Sequence, residues 1–140
     1  MNGTVRRWAR AFIVSVAAFA LEATAAANAQ EARPTKVGTC ARTTIASISG
    51  RFREKLTRPT PTDEGDGTIV NLKNNANGAS YDFVEAVYNS KVGDRVLVCL
   101  VHVPTGCPEG DTRGKYYTTT NLRTLQSWTL MNDTHGCGGA

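Results

Sequence analysis

The stretch RVLVCLVHV, residues 95–103, decides the fold. Its side chains are nearly all apolar and many are β-branched, which is typical of a buried strand. The loop PTGCPEGDTRG, residues 104–114, follows it and contains two prolines and three glycines, which end regular structure. We therefore predict that residues 95–103 form the central strand of a small β-rich domain.

Segments on both sides of this strand predict further strands. Downstream, KYYTTTNLRT (residues 115–124) and QSWTLM (residues 126–131) are rich in aromatic residues and threonine, and predict a hairpin. Upstream, TIVNLKN (residues 68–74) alternates and is followed by the turn sequence NANG. TTIASISGRFREKL (residues 43–56) predicts one long strand with a bend at Gly50. Residues 80–94 predict a short strand and then a helix of about two turns that ends near Gly93, with Ser80 as its candidate N-cap and Asp82 suited to its first turn.

This order of elements predicts the fold class. It matches an OB-type barrel, in which a helix lies between the third and fourth strands. A compact β-roll would give nearly the same pattern. We therefore predict a mainly β domain with one short helix, folded as a small OB-like barrel or a compact β-roll and held by disulfides.

The N-terminus predicts export. Residues 1–10 contain Arg6, Arg7 and Arg10 and no acid, residues 11–21 are an apolar run, and Ala27 and Ala29 frame an A-x-A cleavage site. This order is typical of a secretory signal peptide. The run is too short for a membrane span, which needs ~20 apolar residues. We predict a signal peptide at 1–29, a flexible leader at 30–39 and one domain at 40–140, in a monomeric periplasmic or extracellular protein.

Cleavage after residue 29 leaves 111 residues with 13 basic and 11 acidic side chains. A chain of that length forms one domain with a modest core. Its net charge is too small to indicate nucleic-acid binding without a local basic patch.

All four cysteines lie in the predicted domain. An even number of cysteines in a small exported domain predicts two disulfides. The predicted hairpin brings its outer ends together, which pairs Cys107 with Cys137 and leaves Cys40 for Cys99. No C-x-x-C pair indicates zinc, and we predict no metal and no cofactor.

Catalytic motifs are missing from the sequence. No serine stands in a G-x-S-x-G motif, and the acidic run at residues 63–66 lies in a loop. Asp133 and His135 could form an Asp–His pair, which is a weak pattern in a glycine-rich tail. His102 in the central strand is a further candidate base. We predict no catalytic residue, and a small hydrolase built on His135 is the third of the functions considered.

Two groups of residues are candidates for binding. Arg51, Arg53 and Lys55 would share one face if residues 51–56 form a strand, and Arg58 extends this basic row.

Tyr116, Tyr117 and Trp128 form an aromatic group. Tyr116 and Tyr117 point to opposite faces of their strand, so one of them should be exposed. We expect Trp128 to be buried. The predicted ligand-binding residues are Arg51, Arg53, Lys55, Arg58 and Tyr117.

The segment CLVHVPTGCPEGDTRGKYYTTTNLRTLQSWTLMNDTHGCGGA, residues 99–140, resembles a group of small exported four-cysteine bacterial proteins of unknown function. The resemblance extends over the chain from about Cys40 onward and implies an exported domain that folds by itself. It implies no activity and no site residue.

The sequence therefore predicts an exported, non-enzymatic binding module. Basic residues beside exposed aromatic rings suit an anionic envelope polymer or an envelope protein as partner. The alternative is a secreted inhibitor of a partner enzyme, which would use the loop at residues 104–114.

Overall fold

The computed structural model describes residues 31–52 and 54–139, which form six strands and one helical turn. The elements in chain order are β1 (Cys40–Ser49), β2 (Thr68–Leu72), β3 (Asn77–Ser80), α1 (Glu85–Tyr88), β4 (Arg95–His102), β5 (Tyr116–Asn121) and β6 (Ser127–Met131).

The strands close into an antiparallel barrel in the order β1-β2-β3-β6-β5-β4. Two meanders, β1–β2–β3 and β4–β5–β6, are joined by the segment that contains α1. Long pairing between β1 and β4 closes one seam, whereas β3 and β6 pair only through Ala79 and Met131. The predicted disulfide-stapled, mainly β barrel with a short helix is confirmed. Within the described residues it has one strand more than a five-stranded OB barrel.

The inward face of β4 supplies the centre of the core, as the apolar run predicted. Val96, Val98 and Leu100 are fully buried, and β4 lies between β1 and β5. Trp128 on β6 packs into the same core with 6% of its surface exposed, which confirms that it is buried. The barrel interior is therefore filled by side chains.

The predicted disulfide pairing is confirmed. Cys40 and Cys99 lie directly opposite each other in the β1–β4 register, and their disulfide joins the first strand to the central one. Cys107 and Cys137 join the loop at residues 104–114 to the C-terminal tail. On the loop-entropy estimate these crosslinks stabilise the fold by about 4 kcal/mol and about 3.5 kcal/mol.

The prediction of a strand over residues 51–56 is wrong. β1 ends at Ser49, and the described residues beyond it form bends. The cause is Asp66, whose carboxylate accepts the backbone N–H of Phe52 at 2.8 Å and lies where a side chain on Gly50 would be. The chain therefore turns around Asp66, and the basic row that required a strand does not form.

The helix is shorter than predicted, because α1 is a single turn. Ser80, predicted as its N-cap, instead accepts the backbone N–H of Asp82 at 3.0 Å within a turn. Val84, the residue that precedes the helix, provides no side-chain cap. A single uncapped turn is marginal by itself, because helix nucleation is unfavourable, and α1 is held by the packing of the buried Val87 in the core.

Residues 31–39, predicted as a leader, lie against the barrel. Gly38 donates its N–H to the Leu100 carbonyl at 2.9 Å, and the Tyr117 hydroxyl donates to the Pro34 carbonyl at 3.4 Å. The predicted signal peptide at 1–29 lies outside the described residues. No helix in the described part of the chain has the length and apolar character needed to span a membrane.

Candidate functional site

An open groove lies where β3 and β6 separate. Beyond the Ala79–Met131 pair, the chain leaves β3 and turns toward α1 instead of following β6. The resulting space has a volume of about 250 Å³. Its lining residues come from the end of β3, from β5, from β6 and from the tail: Ala79, Ser80, Tyr81, Asp82, Tyr116, Thr129, Leu130, Met131, Asp133 and Thr134.

The strand register determines which residues lie side by side in the groove. Ala79 lies opposite Met131, Met131 opposite Tyr116, and Tyr116 opposite His102, so four strands contribute to one row. Strands lie about 4.8 Å apart, which places Tyr116 about 10 Å from Ala79. Tyr116 is 39% exposed, and the His102 ring meets it edge-on with 5.8 Å between centroids.

Tyr81 is held in place by two buried residues of the β2 end. Gly67 has a φ of 85°, and any Cβ on it would collide with the backbone carbonyls of Ser80 and Tyr81. The buried Thr68 hydroxyl donates to the Asp82 carbonyl at 2.9 Å and accepts the Val84 N–H at 3.0 Å. The backbone that carries Tyr81 is therefore fixed on both sides, although the Tyr81 ring is 53% exposed.

Arg51 and His135 contact the Tyr81 side chain. The Arg51 guanidinium carbon lies 3.8 Å from the Tyr81 ring centroid and 4.8 Å from that of Phe52. His135 meets Tyr81 edge-on, and its Nε2 lies 3.3 Å from the Tyr81 hydroxyl. Phe52 is 80% exposed, so an aromatic surface continues from the groove past Arg51.

The groove is acidic. Asp82 and Asp133 line it, and no lysine or arginine of the described residues does. The Asp133 carboxylate accepts the backbone N–H of His135 at 3.0 Å. Neither carboxylate forms an ion pair within the described part of the chain. The groove thus combines tyrosine rings with two carboxylates, and Arg113 lies near enough to Asp133 for their charges to attract.

The residues predicted as a basic row lie apart. Arg51 stacks at the rim of the groove, Lys55 lies exposed in a bend, and Arg53 is outside the described residues. Arg58 forms two short hydrogen bonds, 2.5 and 2.6 Å long, with the carboxylate of Glu85. These bonds lower the pKa of Glu85 and raise that of Arg58. Arg58 also lies over the rings of Phe83 and Tyr88, so its charge has local partners.

The structure places Tyr117 inside the barrel core. Its ring points into the barrel and is 3% exposed, and burial raises the pKa of its hydroxyl. The exposed tyrosine of the pair is Tyr116. The alternation of the strand predicted that one of the two would be exposed, and Tyr117, the one chosen as a ligand-binding residue, is the buried one.

The Asp133–His135 pair does not have the arrangement of an oriented catalytic base. The Asp133 carboxylate contacts the His135 backbone, whereas the His135 imidazole contacts Tyr81. No three metal-ligating side chains come together among the described residues.

The loop at residues 104–114 is exposed and well braced. Asp111 accepts hydrogen bonds from the Arg113 side chain at 2.8 and 3.0 Å and from the Gly138 N–H at 3.0 Å. These bonds hold the pKa of Asp111 well below its usual range. Together with the Cys107–Cys137 disulfide, they hold the loop against the C-terminal tail.

Three groove residues, Tyr81, Asp82 and Met131, were not identified as site residues from the sequence, and Asp133 was considered only as part of an Asp–His pair. Residues 80–82 carry turn-forming side chains, and these were interpreted as a helix start. No family model, curated protein or solved structure matches this chain. The resemblance to small exported four-cysteine proteins therefore stays a prediction.

Proposed function

We propose that this protein is an exported, non-enzymatic binding module that holds a segment of a protein partner in the acidic groove. The observation that carries the proposal is the groove itself, where Tyr81, Tyr116 and two carboxylates lie on an open surface. Tyrosine is enriched at protein interfaces, because it offers a large apolar ring with a polar end. Export is supported by the pairing of all four cysteines in disulfides, since such bonds persist in oxidising compartments.

The charges of the surface favour a protein partner over an anionic envelope polymer. A polymer of that kind needs a track of basic side chains along its backbone. The described part of residues 51–56 does not provide one, and the carboxylates of Asp82 and Asp133 would repel phosphate or carboxylate groups in the groove. A protein segment can instead place apolar and positively charged side chains there.

A photo-crosslinking amino acid at Tyr116, introduced into the full chain and activated in the living cell, tests this proposal. Tyr88 provides a matched control, because it is 41% exposed against 39% for Tyr116 and does not line the groove. We expect a discrete protein adduct from position 116 and none from position 88. Equal adducts at both positions, no adduct at either, or a polysaccharide adduct at 116 would contradict the proposal.

A second candidate, the inhibitor, is supported by the braced loop at residues 104–114. Pro108 and Glu109 are exposed at a loop that the Asp111 hydrogen bonds and the disulfide hold in place. A rigid loop loses little entropy on binding, which suits an inhibitor. A crosslinker at Glu109 tests this in the same experiment. If the crosslinker at position 109 captures an enzyme and the one at position 116 captures nothing, the protein is an inhibitor that binds through this loop.

A further inference from the structure

The groove differs in charge from the rest of the chain. The chain after the predicted cleavage has 13 basic and 11 acidic side chains, whereas the groove lining contributes two carboxylates and no lysine or arginine among the described residues, with Arg51 at its rim. The Asp82 side chain has no hydrogen-bond partner within the described part of the chain. Asp133 accepts a backbone N–H. Both carboxylates therefore retain oxygen lone pairs for a donor from outside the chain.

The Tyr81 ring already contacts one cationic side chain. The Arg51 guanidinium lies 3.8 Å from the ring centroid, well inside the ~6 Å range in which a cation is attracted to an aromatic face. Tyr116 has no such occupant among the described residues, and its ring lines the groove beside the Met131 side chain. The groove thus offers an aromatic surface, a polarisable thioether and two negative charges.

The size of the groove limits what it can hold. Its volume of about 250 Å³ lies below the ~300–1,000 Å³ of pockets for drug-sized ligands, and it is open to solvent. One long side chain fits this space better than a whole small molecule. A side chain carried by a partner segment enters and leaves such an open groove without any lid.

We propose that the groove recognises an arginine side chain presented by the partner protein, an inference that rests on the proposed function above. The guanidinium plane packs on the tyrosine surface, and its N–H groups donate to Asp82 and Asp133. Arginine is preferred over lysine because its planar fork stacks on rings and donates to two acceptors at once.

The test uses oxidised, ¹⁵N-labelled protein and the blocked tripeptide Gly-Arg-Gly, with Gly-citrulline-Gly as the neutral isostere. We expect saturable amide shifts at Tyr81, Asp82, Met131 and Asp133 with the arginine peptide. The citrulline peptide should bind at least tenfold more weakly, because it loses the charge and keeps the shape. A lysine peptide should fall between the two. A chito-oligosaccharide and a single-stranded oligothymidine, used as further probes, should leave the groove amides unchanged.

Variants separate charge recognition from folding. Asp82→Asn and Asp133→Asn each keep the side-chain shape and should weaken arginine-peptide binding several-fold, whereas the exposed Glu64→Gln should not. Citrulline binding as tight as arginine binding, or no loss in either Asn variant, would overturn the inference. Groove shifts with the sugar or the nucleotide would overturn both the inference and the protein-partner function. If no probe shifts the groove amides while Tyr116 still crosslinks a protein, only the arginine inference falls.

Discussion

Replacement of the buried Asn121 by Asp should destabilise the barrel strongly and in a pH-dependent way. Asn121 is fully buried, and its Nδ2 donates to the Ser90 hydroxyl and to the Asp94 carboxylate, each at 2.8 Å. Its Oδ1 accepts the N–H groups of Arg123 and Thr124. The side chain thereby ties the β5–β6 turn to the turn that precedes β4. The substitution exchanges one donor nitrogen for an oxygen and changes little else.

The expected loss follows from these contacts. Two lost donor bonds cost about 1 kcal/mol each. Two carboxylates about 4 Å apart repel by about 4 kcal/mol at an effective dielectric constant of 20. The Arg123 guanidinium, which donates to Asp94 at 2.7 Å, offsets part of the repulsion. We therefore expect Asn121→Asp to lower the free energy of unfolding by about 4 kcal/mol at pH 7, a large part of a small domain's stability.

The stability lost through Asn121→Asp should be smaller at acidic pH. Hydrogen bonds from Arg123 and Asn121 hold the pKa of Asp94 well below its usual range, and the bond from Arg123, which has the larger effect, remains in the variant and keeps Asp94 ionised. The pKa of the new carboxyl is raised by this neighbour when the chain folds. The repulsion is therefore absent below the unfolded pKa of ~3.9 and develops as the pH rises through the folded value. Near pH 4 the deficit should fall to about 2 kcal/mol, the cost of the lost donors.

Urea unfolding with the disulfides intact, at pH 7 and near pH 4, measures both values. Asn71→Asp is the matched control, because Asn71 is exposed on β2, and it should change stability by less than about 0.5 kcal/mol. Equal stabilities of the two variants, or a deficit for Asn121→Asp that does not change with pH, would refute this account of the network.

Three further predictions concern the core, the crosslinks and the groove. Trp128→Ala should lower the free energy of unfolding by about 3–5 kcal/mol, and the wild-type indole should emit at a buried, blue-shifted wavelength. Replacing both Cys107 and Cys137 by Ser should cost about 3.5 kcal/mol in urea unfolding, and an unchanged midpoint would argue against the loop-entropy estimate. Gly67→Ala should shift the amide resonances of residues 80–82, because its Cβ collides with their backbone, whereas Gly106→Ala, which meets nothing within 4 Å, should leave them in place.

The sequence predicted the parts of the fold that depend on local pattern. The apolar run at residues 95–103 predicted β4, since a short buried strand needs no partner to be recognised. The hairpin of β5 and β6 predicted the Cys107–Cys137 pair, because a hairpin brings its outer ends together. The burial of Trp128 was predicted from the rule that a small domain buries its largest apolar side chains.

The predictions that failed concern features that depend on contacts between residues distant in the sequence. β1 ends early because Asp66 takes the N–H of Phe52, and nothing near Gly50 in the sequence indicates this. The groove depends on the separation of β3 from β6 beyond the Ala79–Met131 pair, which no local pattern describes. Tyr116 and Tyr117 were assigned to opposite faces correctly, but the inward face is set by pairing with β4.

The central claim is that the acidic groove binds an arginine side chain of a partner protein. Nuclear Overhauser contacts between the arginine peptide and the protein test it most directly, because they report distances to named side chains. We expect contacts from the arginine methylenes to the Tyr116 ring protons and to the Met131 methyl group. Contacts only with the surface around Lys55 and Arg58, or only with the loop at residues 104–114, would contradict the claim.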